Sequence, residues 1–346
     1  MDDLSNQNRL VEYDIIRIIA IMAVIMIHCS AGYVIHFAPE TNHFIIGNIL
    51  DSCSRIAVPF FVMISGIFML DTNRILSIDK LKFKISKLIF ILFVWSAFYA
   101  LCYNSIHKFG HAFLFGHYHL WYLYLIIGLY LITPILRLFV KKENQKYVCY
   151  FLILSIIFQF IPKTLSGLFN NNDSILKFMD MFSVKFVCGF TAYYVAGWLI
   201  HINDEFITKY KNWFKIVFGI SLLCIAIFTQ LFTTDSFKAY KCFYNNSNLL
   251  VFLYSISAFI CLKTFLEKIK ITNNLKSIII KISHLTFGVY LVHASILHLM
   301  QSIMKHSSLN FLGFEVMIYY FGTVVFSFLI CYLLSKIKYI NELIKI

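Results

Sequence analysis

The chain has 346 residues, of which 60% are hydrophobic and 14% are charged, and its mean hydropathy is +0.77. This composition excludes an ordinary water-soluble protein, because long apolar runs with so few charges need lipid as their solvent. The formal net charge of +13 does not indicate a nucleic-acid partner, since the Lys and Arg residues occur in small clusters between the apolar runs.

Apolar runs long enough to cross a bilayer recur along the chain, and a span needs about 20 such residues. Ten spans are predicted, which indicates an all-α polytopic helical bundle that forms a single membrane domain over residues 1–346. Their predicted bounds are 14–34, 45–70, 85–106, 119–139, 147–162, 182–201, 213–232, 247–266, 283–304 and 311–335.

The distribution of basic residues predicts the orientation of the spans. With ten spans and both termini in the cytoplasm, 21 of the 30 Lys and Arg fall on the cytoplasmic side and seven fall outside. The other two, Arg17 and Arg55, lie inside helices. An excess of Lys and Arg in cytoplasmic loops is usual, so an N-in/C-in protein that keeps the short fifth span is favoured.

The first span, "VEYDIIRIIAIMAVIMIHCSAG", carries two costly side chains, Arg17 and His28. Eleven positions make three helical turns plus about 20°, so both lie on one helix face, about 16 Å apart along the axis. Arg17 could instead reach the nearby headgroups and pair with Asp14. His28 is too deep for that, and an ionisable residue at such a depth predicts a functional site in a protein-lined cavity.

The second span, "DSCSRIAVPFFVMISGIFML", holds Arg55 four residues before Pro59. Counted from its inner end, Arg55 lies about 22 Å from the cytoplasmic edge, which is close to the depth of His28. The two residues are therefore predicted to meet on adjacent antiparallel helices. A structural role, in which Arg55 ties helices together through carbonyl groups near the proline, is the alternative.

Two later segments add candidate site residues. "GHYHLWYLYL" places His119 and Trp121 at the outer edge of the fourth span, where an aromatic belt also explains the Trp. A metal site that joins these histidines with His111 is only weakly suggested. "SHLTFGVYLVHASILH" places Tyr290 and His293 in the ninth span, and a helix-contact histidine is the alternative there.

The absence of several known sequence motifs excludes some classes of reaction and of transport. There is no Gly-rich phosphate loop, no HExxH, no GxSxG and no pair of membrane carboxylates typical of a proton-driven pump. A histidine with two guanidinium groups favours a base that acts on a hydroxyl, while the cations stabilise an anionic donor or a developing oxyanion. Arg suits this task because it stays charged and binds phosphate bidentately.

Four blocks in order resemble the membrane-bound acyltransferase-3 family of bacteria, in its form without a fused extracellular domain. The first has the family's Arg, ten residues, then His, and the second has its Arg-Pro-Phe-Phe-Ser-Gly pattern. The blocks are "RIIAIMAVIMIH" (residues 17–28), "RIAVPFFVMISG" (55–66), "HLWYL" (119–123) and "SHLTFGVYLVH" (283–293).

The resemblance implies transfer of an acyl group, usually acetyl from cytoplasmic acetyl-CoA, to a hydroxyl of a cell-envelope or secreted glycan. The enzyme would lie in the bacterial inner membrane, with acyl-CoA, the glycan or lipid-linked sugar and the bilayer as partners, and no metal is expected. The acceptor stays open among O-antigen, capsule, exopolysaccharide, peptidoglycan and smaller molecules, and so does acetyl against succinyl.

We hypothesise that His28 acts as general base on the acceptor hydroxyl or accepts the acyl group transiently. Arg55 would bind the donor and stabilise the thioester carbonyl as it becomes anionic, and Arg17 would bind a donor phosphate or orient His28. Secondary or substrate-binding roles are assigned to His119, Trp121, Tyr290 and His293.

A transporter or flippase of a glycan or lipid-linked sugar is the alternative function, with the same polar residues lining a path. The lack of paired membrane carboxylates weakens ion-driven transport. A purely structural membrane scaffold is third, because it would not need His28 at that depth.

Overall fold

The computed structural model describes residues 10–103, 109–169, 174–234, 238–304 and 314–344, without the side chains of residues 112 and 304. Its elements are helices, so the predicted all-α polytopic bundle is confirmed. In chain order the α-helices are α1 (Val11–His36), α2 (Asn42–Ser54), α3 (Ala57–Leu70), α4 (Ile78–Tyr103), α5 (Phe109–Phe115), α6 (Trp121–Phe139), α7 (Gln145–Ser155), α8 (Ile161–Leu168), α9 (Ser174–Asp180), α10 (Thr191–Ile202), α11 (Asp204–Phe232), α12 (Tyr240–Phe243), α13 (Leu249–Leu266), α14 (Asn273–Met304), α15 (Phe314–Leu334) and α16 (Lys338–Leu343).

Nine helical segments in the described ranges are long and apolar enough to cross a membrane. They match nine of the ten predicted spans, although the predicted ends at 104–106 and 311–313 lie outside the described residues. The fifth span is longer than predicted. It covers Lys142–Leu168, because the π-helical turn Ile156–Phe160 links α7 to α8 without a break.

The predicted span 182–201 is not among these nine segments, because its helix is shorter than predicted. Only α10, Thr191–Ile202, is helical there apart from a short 3-10 turn, and 12 residues reach about 18 Å, less than the hydrocarbon thickness of about 30 Å. Tyr193, Tyr194 and Trp198 are buried against other helices. The segment is apolar because protein surrounds it, and an apolar run of this length is typical of a buried core helix.

Small residues let α10 and α3 cross closely. A Cβ added to Gly66 would collide with the backbone carbonyl of Tyr194, and one added to Gly197 would collide with the backbone of Met63. Close backbone approach at glycine is a recurring device where membrane helices pack, since lipid supplies no hydrophobic drive for association. Gly66, the last residue of the second sequence block, is therefore a packing residue.

The second span is broken between α2 and α3, at Arg55 and Ile56. Pro59 explains the break, because its ring excludes a helical hydrogen bond to the carbonyl four residues earlier, which is that of Arg55. Next to this break runs α1, the central helix, which packs against α2, α3, α13, α14 and α15. The break and the central helix together position the polar residues described next.

Candidate active site

A cavity of about 570 Å³ opens between α1, α3, α4, α6 and α14. Apolar side chains such as Val58, Phe61 and Ile126 form part of its wall. Arg17 and His28 both line it, in agreement with the helical spacing of α1. The polar and charged lining residues are Arg17, His28, Ser65, Arg74, Lys84, His119, Trp121, Tyr122, Tyr130, Ser283, His284, Thr286 and Tyr290.

Three basic side chains gather at one end of this cavity, the cationic end: Arg17, Arg74 and Lys84. The guanidinium carbons of Arg17 and Arg74 lie 5.4 and 5.0 Å from the centroid of the same ring, that of Phe68. The connection that carries Arg74 is held by Arg137 of α6, which donates to the Arg74 carbonyl at 2.6 Å. Asp14 pairs with Arg17 and Asp71 pairs with Arg74, so the three cations outnumber their two carboxylates and this end favours an anionic ligand.

The orientation of Arg17 depends on a buried carboxylate. Arg17 donates to Oδ1 of Asp14 at 3.3 Å, which is the pairing that the sequence suggested as an alternative to a functional role. The same Asp14 oxygen accepts a 2.7 Å hydrogen bond from Ser283 of α14. The pair therefore ties α1 to α14, while the Arg17 side chain keeps 30% of its surface exposed and can still meet a ligand.

His28 lies toward the end of the cavity opposite the cationic end, and its ring packs between two other rings. Its centroid is 5.3 Å from that of His293, with the planes 27° apart, and 5.0 Å from that of Tyr118 in an edge-on contact. His28 lines the cavity directly, whereas His293 is fully buried behind it. A substrate in the cavity would therefore meet His28 first.

The tautomer of His293 is determined by its backbone partner. Its Nδ1 lies 2.7 Å from the carbonyl oxygen of Tyr290, and because a carbonyl only accepts, Nδ1 must carry the proton. In the neutral ring Nε2 then holds the lone pair, and this buried atom has no hydrogen-bond partner among the described residues. Such an atom is an available base.

His119 joins the cavity to a second group of histidines. Its ring is 5.0 Å from that of His293, and its Nδ1 lies 2.9 Å from Nδ1 of His117, so one of these two nitrogens donates to the other. The His117 ring lies 5.7 Å from that of His298. Burial and the neighbouring His298 lower the pKa of His117 to about 4.

These contacts link five imidazoles, here called the imidazole chain. In contact order they are His28, His293, His119, His117 and His298, with ring-centroid separations of 5.3, 5.0, 5.1 and 5.7 Å. His117 and His298 stand in the two segments quoted from the sequence, but no role is predicted for either. The only local signals were the His-x-His spacing in "GHYH" and a second histidine on the same helix as His293.

Tyr290 and Trp121, the remaining predicted site residues, both line the cavity. The hydroxyl of Tyr290 donates to the backbone carbonyl of His119 at 2.5 Å, which fixes the connection before α6 against α14. Trp121 is 41% exposed, and its ring lies 5.7 Å from that of Phe190. Trp121 is thus placed to contact a ligand, and Tyr290 to hold His119.

Arg55 is placed differently from the prediction, since it is not among the residues that line the cavity. Its guanidinium forms an ion pair with Asp51, stacks 4.2 Å from the ring centroid of Tyr244 and donates to the Tyr244 carbonyl at 3.3 Å. These contacts favour the structural alternative, in which Arg55 ties the broken second span to Tyr244, the residue directly after α12. Asp51, a buried membrane carboxylate four residues earlier, was overlooked in the sequence.

The weak suggestion of a metal site that includes His111 gains no support from the geometry. His111 stacks on Phe115 of its own helix, with centroids 4.4 Å apart. Across the part of the chain that the structure describes, no three His, Cys, Asp or Glu side chains are arranged to share a metal ion.

A cavity in a multi-pass membrane bundle, cationic at one end and lined by imidazoles toward the other, is consistent with group transfer. The family model of the acyltransferase-3 domain, described as an acyltransferase domain, matches residues 10–336. No curated protein and no solved structure matches the chain. Because the family match spans nearly the whole sequence, the chain belongs to the acyltransferase-3 family and is a multi-pass membrane acyltransferase.

Proposed function

We propose that this acyltransferase moves an acetyl group from acetyl-CoA to a hydroxyl of a cell-envelope or secreted glycan, in the cytoplasmic membrane of a bacterium. The observation that carries the proposal is that one cavity joins the cationic end to His28. A phosphate-rich donor and a base for a hydroxyl need such groups, and they need them in the same space.

The cationic end fits the donor. Coenzyme A carries several phosphates, and Arg17, Arg74 and Lys84 offer two planar guanidinium forks and one ammonium for them. The apolar wall between this end and His28, including Val24 and Val58, suits the uncharged arm that carries the thioester. The basic loops predicted on the cytoplasmic side support entry of the donor from there.

His28 fits the reacting position. In the direct reaction it takes the proton of the acceptor hydroxyl as the oxygen attacks the thioester carbon. A C–O bond forms, the C–S bond breaks, and the electron pair stays on sulfur. A transient acyl-histidine would divide the same reaction into two steps.

Arg55 has a smaller role in this proposal than the sequence suggested. It lies outside the cavity lining, where its ion pair with Asp51 holds it. We therefore propose that it stabilises the packing around the site, without touching the donor carbonyl.

The test is transfer by purified protein. Radiolabelled acetyl-CoA is offered with a panel of neutral oligosaccharides, including maltotriose, and acetylated products are identified by mass spectrometry. We expect His28→Ala to lower the rate by about 10² or more. His36→Ala is the matched control, because His36 is an exposed histidine at the end of the same helix.

Undiminished transfer by well-folded His28→Ala protein would remove His28 from the mechanism. Glycan movement across vesicles without any dependence on acetyl-CoA would support the transporter alternative instead. In cells, a surface glycan that loses the mass of one acetyl group when the gene is deleted would identify the acceptor class.

A further inference from the structure

The imidazole chain is longer than the proposed chemistry requires. His28 and His119 line the cavity, whereas His293, His117 and His298 do not. These three nevertheless continue the ring-to-ring contacts without a gap. Burying ionisable side chains inside a membrane bundle costs free energy, so several in contact indicate a function.

The imidazole chain leads away from the cationic end of the cavity. On α14, Ser283 bonds Asp14 beside Arg17, and His298 follows 15 residues later, which is about 22 Å along the helix. At that end the His298 ring lies 5.1 Å from the ring of Tyr103, which is 41% exposed. His117 lies 4.4 Å from the ring of Tyr118, which is 48% exposed. We call this the tyrosine edge.

Imidazoles can pass protons because one nitrogen accepts while the other donates. His117 and His119 already share a hydrogen bond between their Nδ1 atoms. The buried Nε2 atoms of His119 and His293 make no hydrogen bond with the described residues, although their rings are 5.0 Å apart. Both atoms can therefore accept a proton. Because the Tyr290 carbonyl holds Nδ1–H of His293, that residue takes up and releases the proton at Nε2.

The residues around the imidazole chain do not hold a proton on any one imidazole. Among the described residues, no ion pair joins a carboxylate to a member of the imidazole chain, and a carboxylate would hold an imidazolium in place. The titratable groups that face the imidazole chain are tyrosines, and they come from α4, the connection before α6, and α14: Tyr99, Tyr103, Tyr118 and Tyr290.

We propose that the imidazole chain conducts the proton of the acceptor hydroxyl from His28 to the tyrosine edge, an inference that rests on the proposed acyl transfer. The O–H bond of the acceptor breaks, its oxygen bonds the acyl carbon, and the C–S electron pair leaves on sulfur. The thiolate takes its proton from water at the cationic end. Each turnover consumes one proton at the cationic end and releases one at the tyrosine edge, so that acyl transfer moves charge across the bundle.

Wild-type protein tests this in phosphatidylcholine vesicles. Acetyl-CoA is added outside, where it reaches only molecules whose cationic end faces outward, and maltotriose and the pH indicator pyranine are enclosed. We expect the lumen to gain one proton for each acetyl group found on maltotriose. Transfer without this acidification would overturn the proposal, because the hydroxyl proton would then have gone to the thiolate directly.

Variants give an independent test in detergent solution. His117→Gln and His298→Gln should each lower kcat about tenfold, leave KM for acetyl-CoA unchanged and recover most of the rate in imidazole buffer, which replaces the missing proton carrier. His111→Gln is the control, since His111 stacks on Phe115 of its own helix and touches no ring of the imidazole chain within the described residues.

Three results would contradict the proposed proton route. Wild-type kcat in both variants would overturn the proton route. A loss that imidazole does not restore, in protein with the wild-type melting temperature, would do so as well. If wild-type protein transfers no acyl group to any acceptor in the panel, the proposed function itself fails, and the proton route fails with it.

Discussion

The imidazoles of His28 and His293 stack with their centroids 5.3 Å apart, which joins the first long helix to α14 at the end of the cavity. Only His28 reaches the cavity, while His293 is buried and fixed by the Tyr290 carbonyl. His28 is therefore the member of the pair that faces the cavity and His293 the enclosed one, and substitutions can separate their contributions.

Two substitutions of His293 separate its hydrogen bond from its free nitrogen. His293→Asn places an amide donor near the position of Nδ1 and removes Nε2, whereas His293→Gln does the reverse. We expect both to lower kcat about tenfold or more, and the Asn variant to keep a melting temperature near that of wild type because it still satisfies the Tyr290 carbonyl. A wild-type rate in the Asn variant would show that Nε2 has no part in turnover.

Lys84 provides a test of the cationic end. Lys84→Met keeps the length of the side chain and removes its charge, so we expect KM for acetyl-CoA to rise about tenfold while kcat changes little. Added salt should weaken donor binding less in this variant than in wild type. Lys141→Met is the control, because Lys141 is exposed and does not line the cavity. Equal KM values for the two variants would contradict the assignment.

The Asp51–Arg55 pair predicts a pattern in a double-mutant cycle. Asp51→Asn or Arg55→Gln alone leaves one buried charge without its partner, which costs about 3–5 kcal/mol of stability. The double variant should recover part of this loss, as judged by thermal melting in detergent. If Arg55 instead stabilised the donor carbonyl, Arg55→Gln would lose far more kcat than Asp51→Asn.

The crossing of α3 and α10 predicts a steric effect. Gly66→Ala forces a methyl group into the Tyr194 carbonyl, and overpacking of this kind costs about 1–3 kcal/mol or more. The protein should accumulate poorly in the membrane and melt at lower temperature. Gly128→Ala is the matched control, since a Cβ there meets no atom within 4 Å. Similar melting temperatures for the two variants would contradict the close packing.

Acid should destabilise the fold through His117. Burial and His298 lower its pKa from 6.5 to about 4, so between these values the unfolded chain binds a proton that the folded chain refuses. This contribution to stability is complete above pH 6.5 and is lost as the pH falls toward 4. The melting temperature should therefore drop between pH 7 and pH 5, and it should drop less in His117→Gln. An unchanged slope in that variant would exclude His117 as the cause.

Much of the site was predictable where one helix carries the evidence. The period of an α-helix alone puts Arg17 and His28 on one face, and the same arithmetic offers Asp14 as the partner of Arg17. Asp51 and Arg55 have the same i, i+4 spacing, so their ion pair was equally visible in "DSCSR" and was overlooked. Contacts between residues three or four positions apart on one helix can therefore be predicted directly from the sequence.

The rest depended on contacts between distant segments. Nothing in "GHYH" says that His117 and His119 meet each other and that His119 then meets His293, because this requires the register of α14 against the connection before α6. For a related reason, the sequence did not show that the helix in the predicted span 182–201 is only α10. An apolar run reads the same whether its neighbours are lipid tails or other helices, and only packing shows that α10 is enclosed.

The two guanidinium groups beside Phe68 have a consequence for regulation. If the cationic end holds the phosphates of the donor, it holds a part of the molecule that acyl transfer leaves unchanged, so free coenzyme A should compete with acetyl-CoA at nearly equal affinity. Turnover would then follow the ratio of acetylated to free coenzyme A in the cytoplasm. Under the proposed function, the acceptor would then be acetylated at an appreciable rate only while much of the coenzyme A is acetylated.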